Sequence, residues 1–319
     1  VNRTPLSDAP APFPPRIAVL PRPTPELTTA ISRGGGVTVA GPAEADGVVV
    51  DFALDPMDLD TELRTLDRSG VRWVQLPRSG VDLFLPAIVR RPDLTWTSAK
   101  GCYAESVAEH ALTLVLALLR DVPERARAAR WGEPSGRSLH GSRAVVVGAG
   151  GVGLETVRLL KCFSSHVTVV RRRPIDVVTA DRTLGVDQLP EALADADVVI
   201  VAAALTSRTR TLLGQREFQC LGPNAIVVNI ARGELIDTDA LVSALEAGQL
   251  AGVGLDVTDP EPLPRGHRLW RHPRALITPH TADTMAMRLP RFAERVTENV
   301  QRFGHHRPLA GAVDTAAGY

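Results

Sequence analysis

The sequence predicts an α/β protein of two domains, each built on a parallel sheet. Three observations predict it. Short apolar runs alternate with helix-like segments from end to end, the pattern of strands joined by crossover helices. A glycine-rich turn, Gly148-Ala149-Gly150-Gly151-Val152-Gly153, stands between an apolar run and a helical one near the middle of the chain. The length, 319 residues with 44% hydrophobic, is enough for two packed cores.

Taken in order, the N-terminal stretch Val1–Pro15 is rich in proline and has no apolar core of a secretory signal, so it reads as a loose arm. Arg16–Leu20 reads as a strand and Pro25–Ser32 as a helix. Val37–Ala40 and Gly47–Phe52 are strands, and Asp60–Asp67 is a helix. Arg72–Leu76 is a strand that runs into the loop Pro77-Arg78-Ser79-Gly80-Val81-Asp82. A long helix follows, from Ala104 to about Asp121, because Val107, Ala111, Leu114 and Leu118 recur at three- and four-residue spacing. A Pro/Gly/Arg-rich connection, Val122 to Gly141, separates it from a second α/β stretch that opens at Ala144. The last helix, about Thr284 to Phe303, is charged and amphipathic, placed where the chain returns to the first domain.

Bulk composition narrows the function. Lys plus Arg equals Asp plus Glu, 36 each, which argues against a whole-molecule basic footprint for nucleic acid. No run of about 18 apolar residues exists, so no membrane span is expected. The three cysteines, Cys102, Cys162 and Cys220, are odd in number and form no C-x-x-C pair. That usage fits a reducing, cytoplasmic setting. No metal site is expected.

The glycine turn carries the first chemical signal. Ala144–Val147 reads as a buried strand, and Leu154–Leu160 as helix, so the glycines sit in the strand–turn–helix context of a dinucleotide site. Gly148 permits the tight turn, Gly150 lets the backbone approach a pyrophosphate, and Gly153 lets helix and strand pack closely. Gly151 and Val152, in the same turn, are expected to border the phosphates, which face the unpaired N–H groups of the helix N-terminus. The next strand, His166–Val170, ends where an acidic residue would bind the adenosine ribose. Here Arg171, Arg172 and Arg173 stand instead, with no carboxylate before Asp176. An arginine fork grips a 2′-phosphate and cannot accept from ribose hydroxyls, so NADP(H) is expected over NAD(H). A solvated basic strand end is the bland alternative.

Three further stretches point to the reaction. Asn229-Ile230-Ala231-Arg232-Gly233-Glu234-Leu235-Ile236-Asp237 follows the strand Ala225–Val228. Gly252-Val253-Gly254-Leu255-Asp256-Val257 leads on to Pro260-Glu261-Pro262, and Ile277-Thr278-Pro279-His280-Thr281 closes the set. With Ser79-Gly80-Val81-Asp82, Glu105-Ser106-Val107-Ala108-Glu109 and Leu139-x-Gly141, in this order, the chain resembles the D-isomer-specific 2-hydroxyacid dehydrogenase family over nearly its whole length.

The resemblance implies a Rossmann-type cofactor domain over 104–290 and a flavodoxin-like substrate domain made of 1–103 and 291–319. It implies that Arg232 clamps the substrate's carboxylate and carbonyl oxygen, that His280 is the general acid–base, and that Glu261 is its partner. Ser79 and Gly80 would hold the substrate carboxylate through their N–H groups. Ala231, Asp256 and His280 would border the nicotinamide, with Asp256 meeting its carboxamide. The residue types suit the task. Reducing a 2-oxo acid needs a proton for the oxygen, which histidine gives near neutral pH, and an arginine to fix the acid in one pose.

Asp237, Asp256 and Asp259 compete with Glu261 as the histidine's partner on residue type alone, and only the resemblance chooses between them. His110, His140, His166, His267, His272, His305 and His306 match no catalytic motif and read as ordinary. Arg78 stands where the family commonly has a small residue, and Thr258 where an aromatic is frequent. The expected activity is reduction of a small 2-oxo acid of the glyoxylate or hydroxypyruvate type by an NADP(H)-dependent homodimer. Phosphite or phosphoglycerate dehydrogenases on the same scaffold, and a non-catalytic nucleotide-sensing corepressor, are the alternatives. Formate dehydrogenases of this fold lack the glutamate partner, and Glu261 argues against them.

Overall fold

The computed structural model describes residues 13–64 and 70–315. Residues 1–12 of the arm expected over Val1–Pro15 and the last residues of the expected Asp60–Asp67 helix lie outside them. The chain divides into two units, one of residues 1–102 with 285–319 and one of 103–284. The divisions expected from the sequence are 103/104 and 290/291. The second falls earlier because the final helix starts at Met285 and a continuous helix belongs to one body.

In the first unit, β1 (Arg16–Leu20) leads to α1 (Pro25–Arg33), whose start is set by the Thr24 side chain accepting from the Leu27 N–H and by Pro25 in the first turn. Then come β2 (Val37–Thr38), β3 (Gly47–Val50) and α2 (Pro56–Arg64). The helix α2 begins four residues before the expected Asp60. Pro56 occupies the first turn, and Asp55 accepts from the Met57 N–H. Next are β4 (Trp73–Gln75), α3 (Leu85–Arg90) and β5 (Thr95–Thr97), the last two not anticipated from the sequence. The sheet order is β2-β1-β3-β4-β5, all parallel, which is the flavodoxin-like order. The central strand β3 is buried on both faces, as a parallel sheet covered by helices requires.

The second unit opens with α4 (Ala104–Leu119) and α5 (Val122–Arg127), so the connection expected from Val122 begins as helix. Then follow β6 (Arg143–Val147), α6 (Gly151–Cys162), β7 (His166–Val170), β8 (Arg182–Leu184), α7 (Leu189–Leu193) and β9 (Val198–Val201). The unit continues with α8 (Gln215–Cys220), β10 (Ile226–Asn229), α9 (Thr238–Glu246), β11 (Gly252–Leu255) and β12 (Ala275–Ile277). Its parallel sheet runs β12-β11-β10-β9-β6-β7-β8, the doubly wound Rossmann order with one added strand. Alternation along β6 feeds two cores. Val145 and Val147 pack with the residues of α7 and α9, and Ala144 and Val146 with those of α4 and α6.

The last helix, α10 (Met285–Gly304), returns to the first unit. Its Thr297 backbone and Val300 crowd the Cα of Gly34, just past α1, so closely that a side chain there would collide. Asn299 is buried and donates to the Gln75 carboxamide at 2.7 Å and the Ala310 carbonyl at 2.9 Å, and it accepts from the Ala310 N–H. Gln75 also accepts from Thr97, so one buried polar network ties β4, β5, α10 and the tail. Among the described residues no helix is long and apolar enough to cross a membrane, and no cluster of His, Cys, Asp or Glu is arranged to hold a metal ion.

Candidate active site

The strand order of the second sheet reverses between β6 and β9, and the chain segments that leave the C-terminal ends of its strands carry the residues singled out above. After β6, Gly148 turns with φ +113°, and a Cβ there would lie 2.5 Å from the Ala202 carbonyl oxygen. Gly153 is held for the same reason, since its Cβ would stand 2.1 Å from the Gly148 oxygen. Gly150 differs. It caps α6 with no side chain to satisfy the first-turn N–H groups, and a Cβ there would meet nothing within 4 Å. The helix thus starts at Gly151, inside the glycine motif rather than at Leu154. Its first turn, with Gly151 and Val152, has no side-chain cap, and the space at Gly150 is open, which fits a pyrophosphate.

The end of β7 lies beside this turn, because the Gly148 N–H donates to the Val170 carbonyl at 2.8 Å. Arg171, half-buried, follows at once and donates to the Ile175 carbonyl at 3.1 Å. Arg172 and Arg173 are exposed. The basic cluster therefore sits one strand end away from the helix terminus.

After β10, Asn229 is fully buried and folds the chain back on itself. Its Oδ1 accepts from the Ala231 N–H, and its Nδ2 donates to the Arg232 carbonyl at 2.8 Å. The Arg232 guanidinium is half-buried and donates to the Ala231 carbonyl at 2.7 Å. Gly233 then presses on the segment that follows β11, where a Cβ would come 2.0 Å from the Thr258 carbonyl. Thr238 adds a bond to the Asp259 carbonyl at 2.8 Å. The turn carrying Arg232 and the loop carrying Glu261 are thus packed backbone to backbone. Thr258, in place of an aromatic, bonds within its own loop to the Pro260 carbonyl.

After β12, His280 reaches Glu261. The Nδ1–Oε1 distance is 2.7 Å, with both side chains 43% exposed. A carboxylate accepts, so Nδ1 carries the proton, and Nε2 is left to give or take one. His280 adopts a left-handed backbone, φ +48°. For a residue with a Cβ this costs about 1–3 kcal/mol and persists only where the surroundings impose it. They do so here through Asp256. The Asp256 carbonyl accepts from the His280 N–H at 2.8 Å. The Asp256 carboxylate, buried, accepts from the Thr281 N–H, the Ala282 N–H and the Thr278 hydroxyl at 2.9, 3.0 and 2.6 Å. A fourth donor comes from α4, where His110 Nε2 lies 3.3 Å from Asp256 and 3.0 Å from the Thr278 hydroxyl. Burial opposes ionisation of Asp256, but the bonds from His110, Thr278 and the two N–H groups outweigh it and hold the carboxyl below its usual range.

Of the residues named from sequence, Gly148, Gly150, Gly151, Val152, Gly153, Arg171, Arg172, Ala231, Arg232, Asp256, Glu261 and His280 all follow C-terminal ends of strands in this one sheet. Asp237, one of the competitors for the histidine, is instead the N-cap of α9. His267 caps its own turn, and His305 bonds to the Gln301 carbonyl of its own helix. His110 is the residue that sequence reasoning passed over.

Ser79 and Gly80 belong to the first unit, in the loop after β4. The Ser79 hydroxyl donates to the Ala99 carbonyl at 3.1 Å, and the Ala99 N–H donates back to the Arg78 carbonyl at 3.0 Å. This pins the loop, while neither the Ser79 nor the Gly80 N–H is taken by another described residue. Two adjacent free N–H groups suit a carboxylate. Arg78 in the same loop is half-buried.

Comparison with known proteins gives the family. Residues 112–282 match the family model described as D-isomer specific 2-hydroxyacid dehydrogenase, NAD binding domain. The chain is 34% identical to an uncharacterised protein from the proB 3′ region of Corynebacterium melassecola, over 92% of this chain and 97% of that one. It is 33% identical to glyoxylate/hydroxypyruvate reductase A of Serratia proteamaculans, over 68% and 69% respectively. A D-isomer specific 2-hydroxyacid dehydrogenase from Xanthobacter autotrophicus Py2, solved with NADPH and MES, superposes with a TM-score of 0.82 at 26% identity, over 96% of this chain and all of that one.

Proposed function

The chain belongs to the D-isomer specific 2-hydroxyacid dehydrogenase family and is an NAD(P)-dependent oxidoreductase, and from that premise we propose that it reduces a small 2-oxo acid of the glyoxylate or hydroxypyruvate class, with NADPH as the preferred cofactor. The observation that carries the reading is the His280–Glu261 pair, 2.7 Å apart on the sheet edge that also carries Arg232.

When bound, a nicotinamide cofactor supplies the hydride; everything else is asked of the protein. Gly150 and the first turn of α6 would receive the pyrophosphate, since that helix end has no cap and the space before it is open. Arg171 and Arg172 would take the 2′-phosphate, because they follow the strand end next to the glycine turn. Ala231 and Asp256 would border the nicotinamide. Three of the four donors on Asp256 meet Oδ1, so a contact with the carboxamide would use Oδ2, which among the described residues accepts from the Ala282 N–H alone.

Arg232 would hold the substrate's carboxylate and polarise its carbonyl, while the N–H groups of Ser79 and Gly80, considered within the first unit alone, suit an anion. His280 Nε2 gives its proton to the carbonyl oxygen as the carbon gains the hydride, and the ring then regains a proton from solvent. Glu261 keeps Nδ1 protonated and the ring aimed throughout. The residues 103–284 then form the cofactor domain, and the rest the substrate domain. The homologous reductase of Serratia and the NADPH-bound Xanthobacter protein support the substrate class and the cofactor.

The test is NADPH oxidation with a panel of glyoxylate, hydroxypyruvate, pyruvate and 3-phosphohydroxypyruvate, alongside NADP-linked oxidation of phosphite. Turnover of the first two above the others supports the proposal. Turnover of phosphite alone, or of none, would overturn it.

A further inference from the structure

His110 was read from sequence as ordinary, yet it reaches the loop of His280 from a different element. It lies in the second turn of α4, with its side chain only 17% exposed. Its Nε2 faces two oxygens at once, Thr278 Oγ1 at 3.0 Å and Asp256 Oδ1 at 3.3 Å. Those two oxygens are themselves 2.6 Å apart. The Thr278 hydroxyl must spend its one proton on the carboxylate, which can only accept. Both partners of Nε2 are therefore acceptors, and Nε2 must carry a hydrogen. The ring is fixed as a donor at Nε2.

What this donor supports is the strained turn at His280. Asp256 grips the chain on both sides of that residue, through the Thr278 hydroxyl before it and the Thr281 and Ala282 N–H groups after it. Asp256 and Thr278 in turn meet at His110, which is anchored in the core-facing helix α4. We propose that His110 is a positioning residue for His280, its Nε2–H bridging Asp256 and Thr278 so that the loop holds the left-handed backbone that aims the His280 imidazole. The inference rests on the proposed role of His280 for its kinetic consequence only; the structural link stands apart from it.

Three variants of the full chain decide it. His110→Leu fills similar space without a donor. His110→Gln carries an amide N–H to nearly the reach of Nε2, and His110→Asn falls short of it. The readouts are kcat and KM for the oxo acid that the parent reduces fastest, the Kd for NADPH, and the ring signals of the ¹⁵N-histidine-labelled protein. The parent should show His110 with a proton on Nε2. His110→Leu should lower kcat by about tenfold to a hundredfold, as a displacement near 1 Å of a reacting group does, while the Kd for NADPH stays within about threefold. The ring signals of His280 should move. His110→Gln should restore both kcat and those signals, and His110→Asn should not. Unchanged kcat and unchanged His280 signals in His110→Leu would overturn the proposal. So would equal impairment of the Leu and Gln variants, which would mark a space-filling role. If His110→Leu does not fold, the contrast between Gln and Asn decides in its place. Should the parent reduce no oxo acid, the functional reading falls, and the His280 ring signals alone still decide the link.

Discussion

At His280 one residue joins two demands, a backbone turned left-handed and a ring turned to Glu261. Its loss should therefore act on turnover. His280→Asn keeps a polar group at about the reach of Nδ1 but has nothing at Nε2, and it tolerates the left-handed backbone, so the fold should persist while kcat falls by about 10²–10⁴. Stopped-flow NADPH oxidation together with an NADPH titration checks this, and parental turnover in the variant would dismiss the mechanism. The basic cluster makes a separate prediction. Replacing Arg171 and Arg172 together by Ser should raise KM for NADPH by about tenfold or more, since a charge-assisted bond is worth about 1.5–3 kcal/mol. NADH kinetics should stay close to parental, and an equal loss with both cofactors would mark the cluster as solvated surface. Arg232, Glu261 and His280 were legible at this scale because each stands in a motif. His110 was not, although a signal existed. It falls three residues after Val107 and four before Leu114, on the apolar face of its own helix, and a polar ring on such a face needs a partner.

At the level of elements, the site depends on how closely the loops after β10 and β11 approach. Gly233 is the contact point, and no side chain fits between its Cα and the Thr258 carbonyl. Gly233→Ala should push the Arg232 turn away from the Glu261 loop, costing about 1–3 kcal/mol as overpacking does. A lowered Tm together with a raised KM for the oxo acid would be the outcome, whereas parental values of both would show that the loops can part without harm. From sequence, Gly233 was one letter within a motif, and its reason lies in a neighbour 25 residues on. The start of α6 shows the same limit. Spacing of apolar residues begins the helix at Leu154, but the backbone enters it at Gly151, because glycine has no side chain to register in a periodicity.

For the molecule as a whole, several carboxylates ionise more readily in the folded chain than they would when unfolded, and three of them link segments distant in sequence. Asp46 is opposed by burial but outweighed by the side-chain and backbone bonds of Arg16. Asp181 is held by Lys161 and by the Val167 N–H. Asp256 is held against burial by His110, Thr278 and two N–H groups. All three are depressed, so their contribution is complete above the unfolded carboxylate range and is lost as pH falls through the folded values. The unfolded chain then binds protons first. The urea midpoint should hold between pH 7 and 5 and fall steeply below about pH 4. Asp256→Asn should lower the neutral midpoint and flatten the acid limb, since it removes the buried member of the three; a limb as steep as the parent's would place the effect elsewhere. Asn299 tests the tail. Asn299→Leu leaves Gln75 and Ala310 without their buried partner and should cost about 1–3 kcal/mol, read as a lower Tm with NADPH affinity unchanged.

The residues alone settled the α/β class, the strand–turn–helix around Gly150, the arginines after Val170, and the motifs that hold Arg232, Glu261 and His280. These are local facts, written as periodicity, glycine spacing and short runs of residue types, and they need no knowledge of distant neighbours. Folding decided the rest. It chose Glu261 over Asp237 and Asp259 as the group beside His280, spent Asp256 on holding the His280 loop, and brought His110 to Asp256 from 146 positions earlier in the chain. It also carried α10 back to the first sheet through Asn299. Each of these is a contact between segments far apart in sequence. The strength of such a contact lies in a distance and in burial, neither of which the order of residues specifies until the strands are laid side by side.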